Sequence, residues 1–188
     1  MRTKLLFVIL GIFSCFGTNA QSKLYKAAEA DIGLIVAFPT NPDLNIGFGG
    51  YFEPRYNVAD RVSAGVRFEV VAIASNEGAI INGDVVEINV SGVTSFLLTG
   101  DYYFTDTYIR PFAGAGVGLF ILGDVDYVSE QVVTDRLGTR FGYVPRIGIE
   151  ASHLRLTAEY NIITGLTEIN SRDYIGLKLA ITIGGGRK

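Results

Sequence analysis

The sequence contains no tryptophan, and only one cysteine, one histidine and one methionine in 188 residues. With Cys15 as the sole thiol, no internal disulfide can form. Past the N-terminus there is no apolar run of roughly 18 residues, so no helix is expected to cross a membrane. Yet mean hydropathy is +0.31, high for a water-soluble domain. A basic excess is also missing. Sixteen Lys and Arg stand against 19 Asp and Glu, and no cluster of cations is available to follow a nucleic-acid backbone or an anionic lipid surface. What is abundant is glycine, at 23, with 10 tyrosines and 12 phenylalanines. Glycine and aromatic richness without helix-length apolar runs points to β-strands.

The first twenty residues read as an export signal. Arg2 and Lys4 form a short basic start and Leu5 to Phe16 a mostly apolar stretch. Thr18-Asn19-Ala20 places small residues where a signal peptidase cuts, so the mature chain is expected to begin at Gln21. Ile12-Phe13-Ser14-Cys15 loosely resembles a lipobox, but Phe13 is bulky where a small residue is usual. Cleavage after Ala20 removes the only cysteine and leaves 14 Lys and Arg against 19 Asp and Glu, a net charge of −5.

The rest of the chain alternates with a period of two. Ile175, Leu177, Leu179, Ile181 and Ile183 share one face, and Tyr174, Gly176, Lys178, Ala180 and Thr182 the other. Leu154, Leu156, Ala158, Tyr160 and Ile162 oppose Arg155, Thr157, Glu159 and Asn161. Val62, Ala64, Val66, Phe68 and Val70 oppose Ser63, Gly65, Arg67 and Glu69. A strand sorts such residues cleanly, whereas a helix would scatter them. Eight strands are expected, at 30–39, 43–56, 61–74, 90–105, 107–122, 139–151, 154–164 and 172–184. Each approaches or exceeds the roughly 9–11 residues of a tilted transmembrane strand. Tight turns are expected at 57–60, 105–106 and 152–153, and longer loops at 39–42, 75–89, 123–138 and 165–171. Short turns at one end and longer loops at the other fit an all-β, eight-stranded, antiparallel up-and-down barrel with both termini periplasmic. The division is a signal peptide at 1–20, a periplasmic segment at 21–29, the barrel at 30–184 and a tail at 185–188.

Alternation alone does not separate a membrane barrel from a soluble ligand-binding barrel, whose apolar face points inward. Three patterns do. Gly47, Gly49, Gly65, Gly114, Gly116, Gly118, Gly142, Gly148 and Gly176 lie on the polar face. There they gain nothing in water but make room inside a narrow barrel. The same face carries Arg55, Arg67, Arg110, Arg146, Arg155 and Lys178 with Glu53, Glu69, Asp101, Glu150 and Glu159. Such a near-neutral set suits a paired, structural charge network in the lumen. On the apolar face, Phe52, Tyr56, Tyr102 and Phe104 are expected near the short turns and Phe38 and Tyr143 near the long loops, as interfacial girdles. Pro54, Pro111 and Pro145 fall within strands and are expected to mark bulges or ends.

The stretch Asp101-Tyr102-Tyr103-Phe104, followed by Tyr108-Ile109-Arg110-Pro111-Phe112-Ala113-Gly114-Ala115-Gly116-Val117-Gly118, resembles the central hairpin of small outer-membrane β-barrels. Those barrels relate to the transmembrane domain of outer membrane protein A and to protein X. Pro145 to Glu150, Glu159-Tyr160-Asn161 and Tyr174 to Leu179 resemble the sixth, seventh and closing strands. The resemblance implies the fold and an outer-membrane location. One departure is the ending in Gly184-Gly185-Gly186-Arg187-Lys188, where many such barrels end on an aromatic residue.

Catalytic chemistry is sparse. His153, beside Ser152 and between Glu150 and Glu159, invites a hydrolase reading. Adjacent strand residues point to opposite faces, which favours a solvated turn histidine. Gly114 to Gly118 is not followed by a helix, which argues against a phosphate loop. Asp124, Asp126, Glu130 and Asp135 lack calcium-loop spacing. No enzyme activity, metal or cofactor is expected. The expected partners are outer-membrane lipid and a surface partner reached through loops 75–89 and 123–138. The chain is expected to be monomeric, in a structural or surface-interaction role. A narrow porin-like channel, a lipid-modifying enzyme and a soluble secreted ligand-binding barrel are the alternatives.

Overall fold

The computed structural model describes residues 22, 24–75, 90–128, 131–166 and 171–184. The expected signal peptide, the tail at 185–188 and nearly all of loop 75–89 lie outside the described residues.

The strands are β1 (Ala28–Pro39), β2 (Leu44–Ala59), β3 (Val62–Ser75), β4 (Val90–Tyr103), β5 (Ile109–Val128), β6 (Gln131–Ala151), β7 (Leu154–Ile163) and β8 (Tyr174–Gly184). Each pairs antiparallel with the next in sequence, and β8 returns to β1, closing the barrel. Closure leaves no free sheet edge. Adjacent strands are joined by plain hairpins, so no crossover helix is required.

Three local differences from the sequence reading have physical causes. The region 123–138 is not a long loop. β5 and β6 continue as a paired ribbon to Val128↔Gln131, with one irregularity between Leu122 and Asp124. Among the described residues β4 follows β5 to Val90↔Val125 and β7 meets β6 from Gly142 onward, so the ribbon's tip has no further strand partner among them. The turn at 105–106 is a five-residue link, 104–108. It is closed by the Phe104 amide donating to Pro111 O at 2.9 Å and by the Thr107 hydroxyl donating to Ile109 O at 2.8 Å. The in-strand prolines do not shift the register. Phe52↔Phe68 and Arg55↔Gly65 keep one register across Pro54, as Tyr143↔Ile162 and Arg146↔Glu159 do across Pro145. The ladder simply skips the rung where an N–H is missing.

Polarity is inverted relative to a soluble protein. On β8, Ile175, Leu177, Leu179, Ile181 and Ile183 are exposed, while Tyr174, Lys178, Ala180 and Thr182 are buried. The same rule holds around the wall: Leu34 is 72% exposed and Leu98 65%, whereas Arg67 is 1% and Glu69 0%. Tyr56, Tyr102, Phe104 and Tyr108 are exposed at the short-turn end, and Phe38, Phe141 and Tyr143 toward the loop end. Phe52 departs from the girdle expectation. It sits in mid-strand, in a row with Phe68 and Phe96 whose rings are 5.0 Å apart.

Candidate functional site: the charged lumen and its closures

Inward-facing positions fill the interior in layers, as an eight-stranded barrel requires. The eleven charged residues expected there are all buried. Two further carboxylates join them from β1, Glu29 and Asp31. The lumen therefore holds six cations and seven carboxylates among the described residues.

They form two clusters. The larger lies toward the short turns. Arg146, from β6, reaches across to Glu53 on β2 with two bonds, Nη1 to Oε2 at 3.0 Å and Nη2 to Oε1 at 2.8 Å. Its Nε donates to Asp101 at 2.7 Å. Arg155 bonds Asp101 at 2.5 Å and Glu150 at 3.0 Å. Arg55 pairs with Glu29 and Asp31, each at 2.9 Å, and with Glu150 at 3.1 Å. Arg110 also bonds Glu150. Tyr103 lies at the hub. Its hydroxyl accepts from Arg55 and Arg155 and donates to Glu150 at 2.8 Å. Thr99 and Thr182 donate to Glu53 and Asp31, each at 2.7 Å. The smaller cluster joins Arg67 to Glu159 at 2.5 Å and Lys178 to both Glu159 and Glu69. The Tyr174 hydroxyl donates to Glu69 at 2.7 Å. Buried guanidinium–carboxylate forks with hydroxyl donors to the remaining lone pairs are the geometry in which such charges can be kept from water.

Both ends of this layer are covered. Toward the loops the lumen turns apolar: Ile35, Leu44, Val71, Ile73, Leu97 and Phe120 belong to one buried cluster. Toward the short turns, the segment before β1 folds under the mouth. The Ser22 hydroxyl donates to Asp60 Oδ1 at 2.7 Å, the Leu24 amide donates to the same oxygen at 3.0 Å, and the Asn57 amide donates to Ala27 O at 2.7 Å. Tyr25, thereby fixed, is buried, with the Arg110 guanidinium 3.9 Å from its ring centre and 4.1 Å from that of Tyr103.

Glycines make space where aromatic rings enter this interior. A Cβ on Gly148 would meet the Leu156 carbonyl oxygen first and then the Phe112 ring at 2.5 Å, and that ring carries the Arg155 guanidinium at 3.8 Å.

Ser152, His153 and Glu150 do not converge. The His153 Nδ1 lies 3.0 Å from Thr182 O, where it acts as donor. Glu150 is turned into the lumen among Arg55, Arg110 and Arg155. Ser152 occupies the left-handed turn position, φ 55°.

Sequence reasoning missed Glu29, Asp31, Tyr25 and the apolar upper lumen. Glu29 and Asp31 carried a readable signal, since they alternate with Ala28, Ala30 and Ile32.

With closed topology, outward apolar wall and inward charges all established, the comparison with solved structures is decisive for the fold. Neisserial surface protein A matches at a TM-score of 0.51 and 14% identity, over 86% of this chain and 96% of that one. The fold is that of the small outer-membrane β-barrels. Ail of Yersinia pestis (TM-score 0.49, 11% identity, 87% and 99% covered) and the outer membrane protein OprG of Pseudomonas aeruginosa (0.46, 12%, 90% and 98%) also match. No protein-family model and no curated protein matches the chain.

Proposed function

We propose that the chain is an integral outer-membrane protein, with both termini on the periplasmic side. Its barrel is an inert anchor, and the segments at the loop end carry its interactions. The observation that carries this reading is the inverted polarity: a continuous exposed apolar wall around thirteen buried charges. In water that wall would be a very large exposed apolar surface, far beyond what a soluble monomer tolerates. In hydrocarbon it is the favoured surface, and the closed ladder satisfies the backbone. The lumen charges act structurally, tying all eight strands together through the interior.

The β5–β6 ribbon extends past its neighbours and, in this orientation, rises on the outer side, where it can meet a surface partner. A conducting lumen is disfavoured by the ion-paired layer, the apolar cluster above it and Tyr25 below it. Fractionation tests the placement. The mature protein should enter the outer-membrane fraction, require detergent for extraction and migrate differently on gels with and without heating. Recovery in the soluble periplasm would refute it. Planar-bilayer recordings should show no steady single-channel steps.

A further inference from the structure

We propose that the lumen holds a structural water-binding site between Arg67 on β3, Ser95 on β4 and Asn161 on β7, where the smaller ionic cluster meets the apolar upper lumen. The site lies inside the barrel and does not depend on how the barrel sits in a membrane. All three side chains are buried, Arg67 to 1% exposure and Ser95 and Asn161 to 0%. Each carries a polar atom that finds no hydrogen-bond partner among the described residues: Arg67 Nη2, Ser95 Oγ and Asn161 Oδ1. A fourth atom, Arg67 Nε, has only a 3.5 Å ion contact with Glu69. Buried polar groups in folded proteins almost always have a partner, in the protein or in ordered water.

The neighbouring ion pairs show why no carboxylate supplies these partners. All the oxygens of Glu69 and Glu159 are engaged. Tyr174 and Lys178 take those of Glu69. Arg67 Nη1 takes Glu159 Oε2 at 2.5 Å, while Lys178 Nζ and Asn161 Nδ2 take Oε1 at 2.8 and 2.9 Å. The Arg67 guanidinium and the Asn161 amide therefore meet on one carboxylate. Donation by Nδ2 fixes the amide, so Oδ1 faces away from Glu159. Ser95 lies directly opposite Glu69 on the β3–β4 ladder and diagonal to Arg67, at the roughly 7–8 Å of such neighbours. On the next strand Gly116 and Gly118 put no side chain on the inner face, and a Cβ on Gly116 would meet nothing nearer than Thr99 at 3.3 Å.

The occupant follows from these partners. It must accept from Arg67, donate to Asn161 and carry no charge, because Arg67 and Lys178 already balance Glu69 and Glu159. An anion would face both carboxylates, and a cation both basic groups. Water meets every condition and is small enough for a packed lumen. Held between the apolar cluster, which includes Leu97 and Phe120, and the larger ionic cluster, it should exchange slowly with solvent.

Crystals of the refolded full barrel, grown with bromide in the mother liquor, test the site. A density peak without anomalous bromide signal is expected within hydrogen-bond distance of Arg67 Nη2 and Asn161 Oδ1. A bromide signal there would overturn the water in favour of an anion. No peak, or an Arg67 Nη2 bonded to a protein oxygen instead, would overturn the site altogether. In detergent micelles the Arg67 Nε–H should show cross-relaxation with water, of the sign given by a bound molecule. Asn161→Leu, which replaces the accepting amide by an apolar group of similar size, should abolish that signal. Asn45→Leu, at an exposed position, should leave it unchanged. A signal that persists in Asn161→Leu would trace it to exchanging hydroxyl protons and contradict the site. The wild-type crystal decides the matter should the Asn161 variant fail to fold.

Discussion

Arg146 and Glu53 face one another from β6 and β2 and close a two-bond fork across the barrel interior, at 2.8 and 3.0 Å. Removing Arg146 leaves the buried Glu53 with only the Thr99 hydroxyl, whereas removing Glu53 leaves Arg146 its bonds to Asp101 but an unmatched half of its fork. Arg146→Ala or Glu53→Ala should destabilise the folded barrel by about 3–5 kcal/mol, the usual cost of breaking a buried pair. Arg146→Lys should rescue little, because an ammonium cannot reproduce the planar fork. The double change Arg146→Met with Glu53→Met should cost less than either single alanine. Urea unfolding from vesicles measures all of these. A full-strength lysine variant would show that the fork contributes nothing beyond charge.

The outward wall predicts a position-specific penalty. Leu179 pairs with Leu34 on one side and Leu156 on the other, and all three are exposed. If this row lies near the bilayer midplane, Leu179→Arg should cost about 2–4 kcal/mol. Arginine at Ala180, on the inner face, should act by crowding Asp31 and Arg155 instead. Refolding yield and unfolding midpoints in vesicles read the first effect. Tolerance of Leu179→Arg equal to that of a loop-end arginine would contradict a lipid-facing Leu179.

Gly148 is a packing requirement. A valine there drives Cβ into the Leu156 carbonyl oxygen and into the Phe112 ring, which carries Arg155. The cost should be about 1–3 kcal/mol, as for overpacked cores. Gly148→Val combined with Phe112→Leu should recover part of it. No recovery would place the clash in the backbone rather than the ring.

Tyr25 covers the turn-side mouth by stacking on Arg110. Tyr25→Ala should lose roughly 1–2 kcal/mol, the range of a desolvated cation–π contact. Tyr25→Phe should lose little, because the hydroxyl makes only a 3.4 Å contact with Thr107 O. The alanine variant should also open residues 24–27 to protease added to the detergent-solubilised barrel, and unchanged protection would argue that the bonds to Asp60 and Asn57 hold the segment by themselves.

The strand pattern was readable wherever one face is apolar and exposed and the other packs into the lumen. β8 is the clearest case, since each side chain there has one acceptable side. At Val70, Val71, Ala72 and Ile73 both faces are apolar because the upper lumen is itself apolar, yet the strand expected at 61–74 is found as β3; what the pattern hid there was the apolar lumen. Pattern failed further along. Residues 126–128 and 131–135 lie beyond the described parts of β4 and β7, where pairing with each other alone keeps them extended and acidic residues look like loop. Tyr25 was invisible because no periodicity runs through residues 22–27. Its burial follows from hydrogen bonds to Asp60 and Asn57, which are distant in sequence. The pairing partners within the lumen were equally hidden, since Arg146 and Glu53 meet only after closure.

The most direct test replaces residues 174–183 one at a time with a spin-labelled cysteine, in a chain that begins at Gln21 and so lacks Cys15, the one cysteine of the sequence. Accessibility to oxygen and to a water-soluble nickel chelate is then measured in vesicles. Positions 175, 177, 179, 181 and 183 should be open to oxygen and shielded from nickel, with the intervening positions shielded from both. Nickel access along the odd-numbered row would contradict a wall that faces lipid.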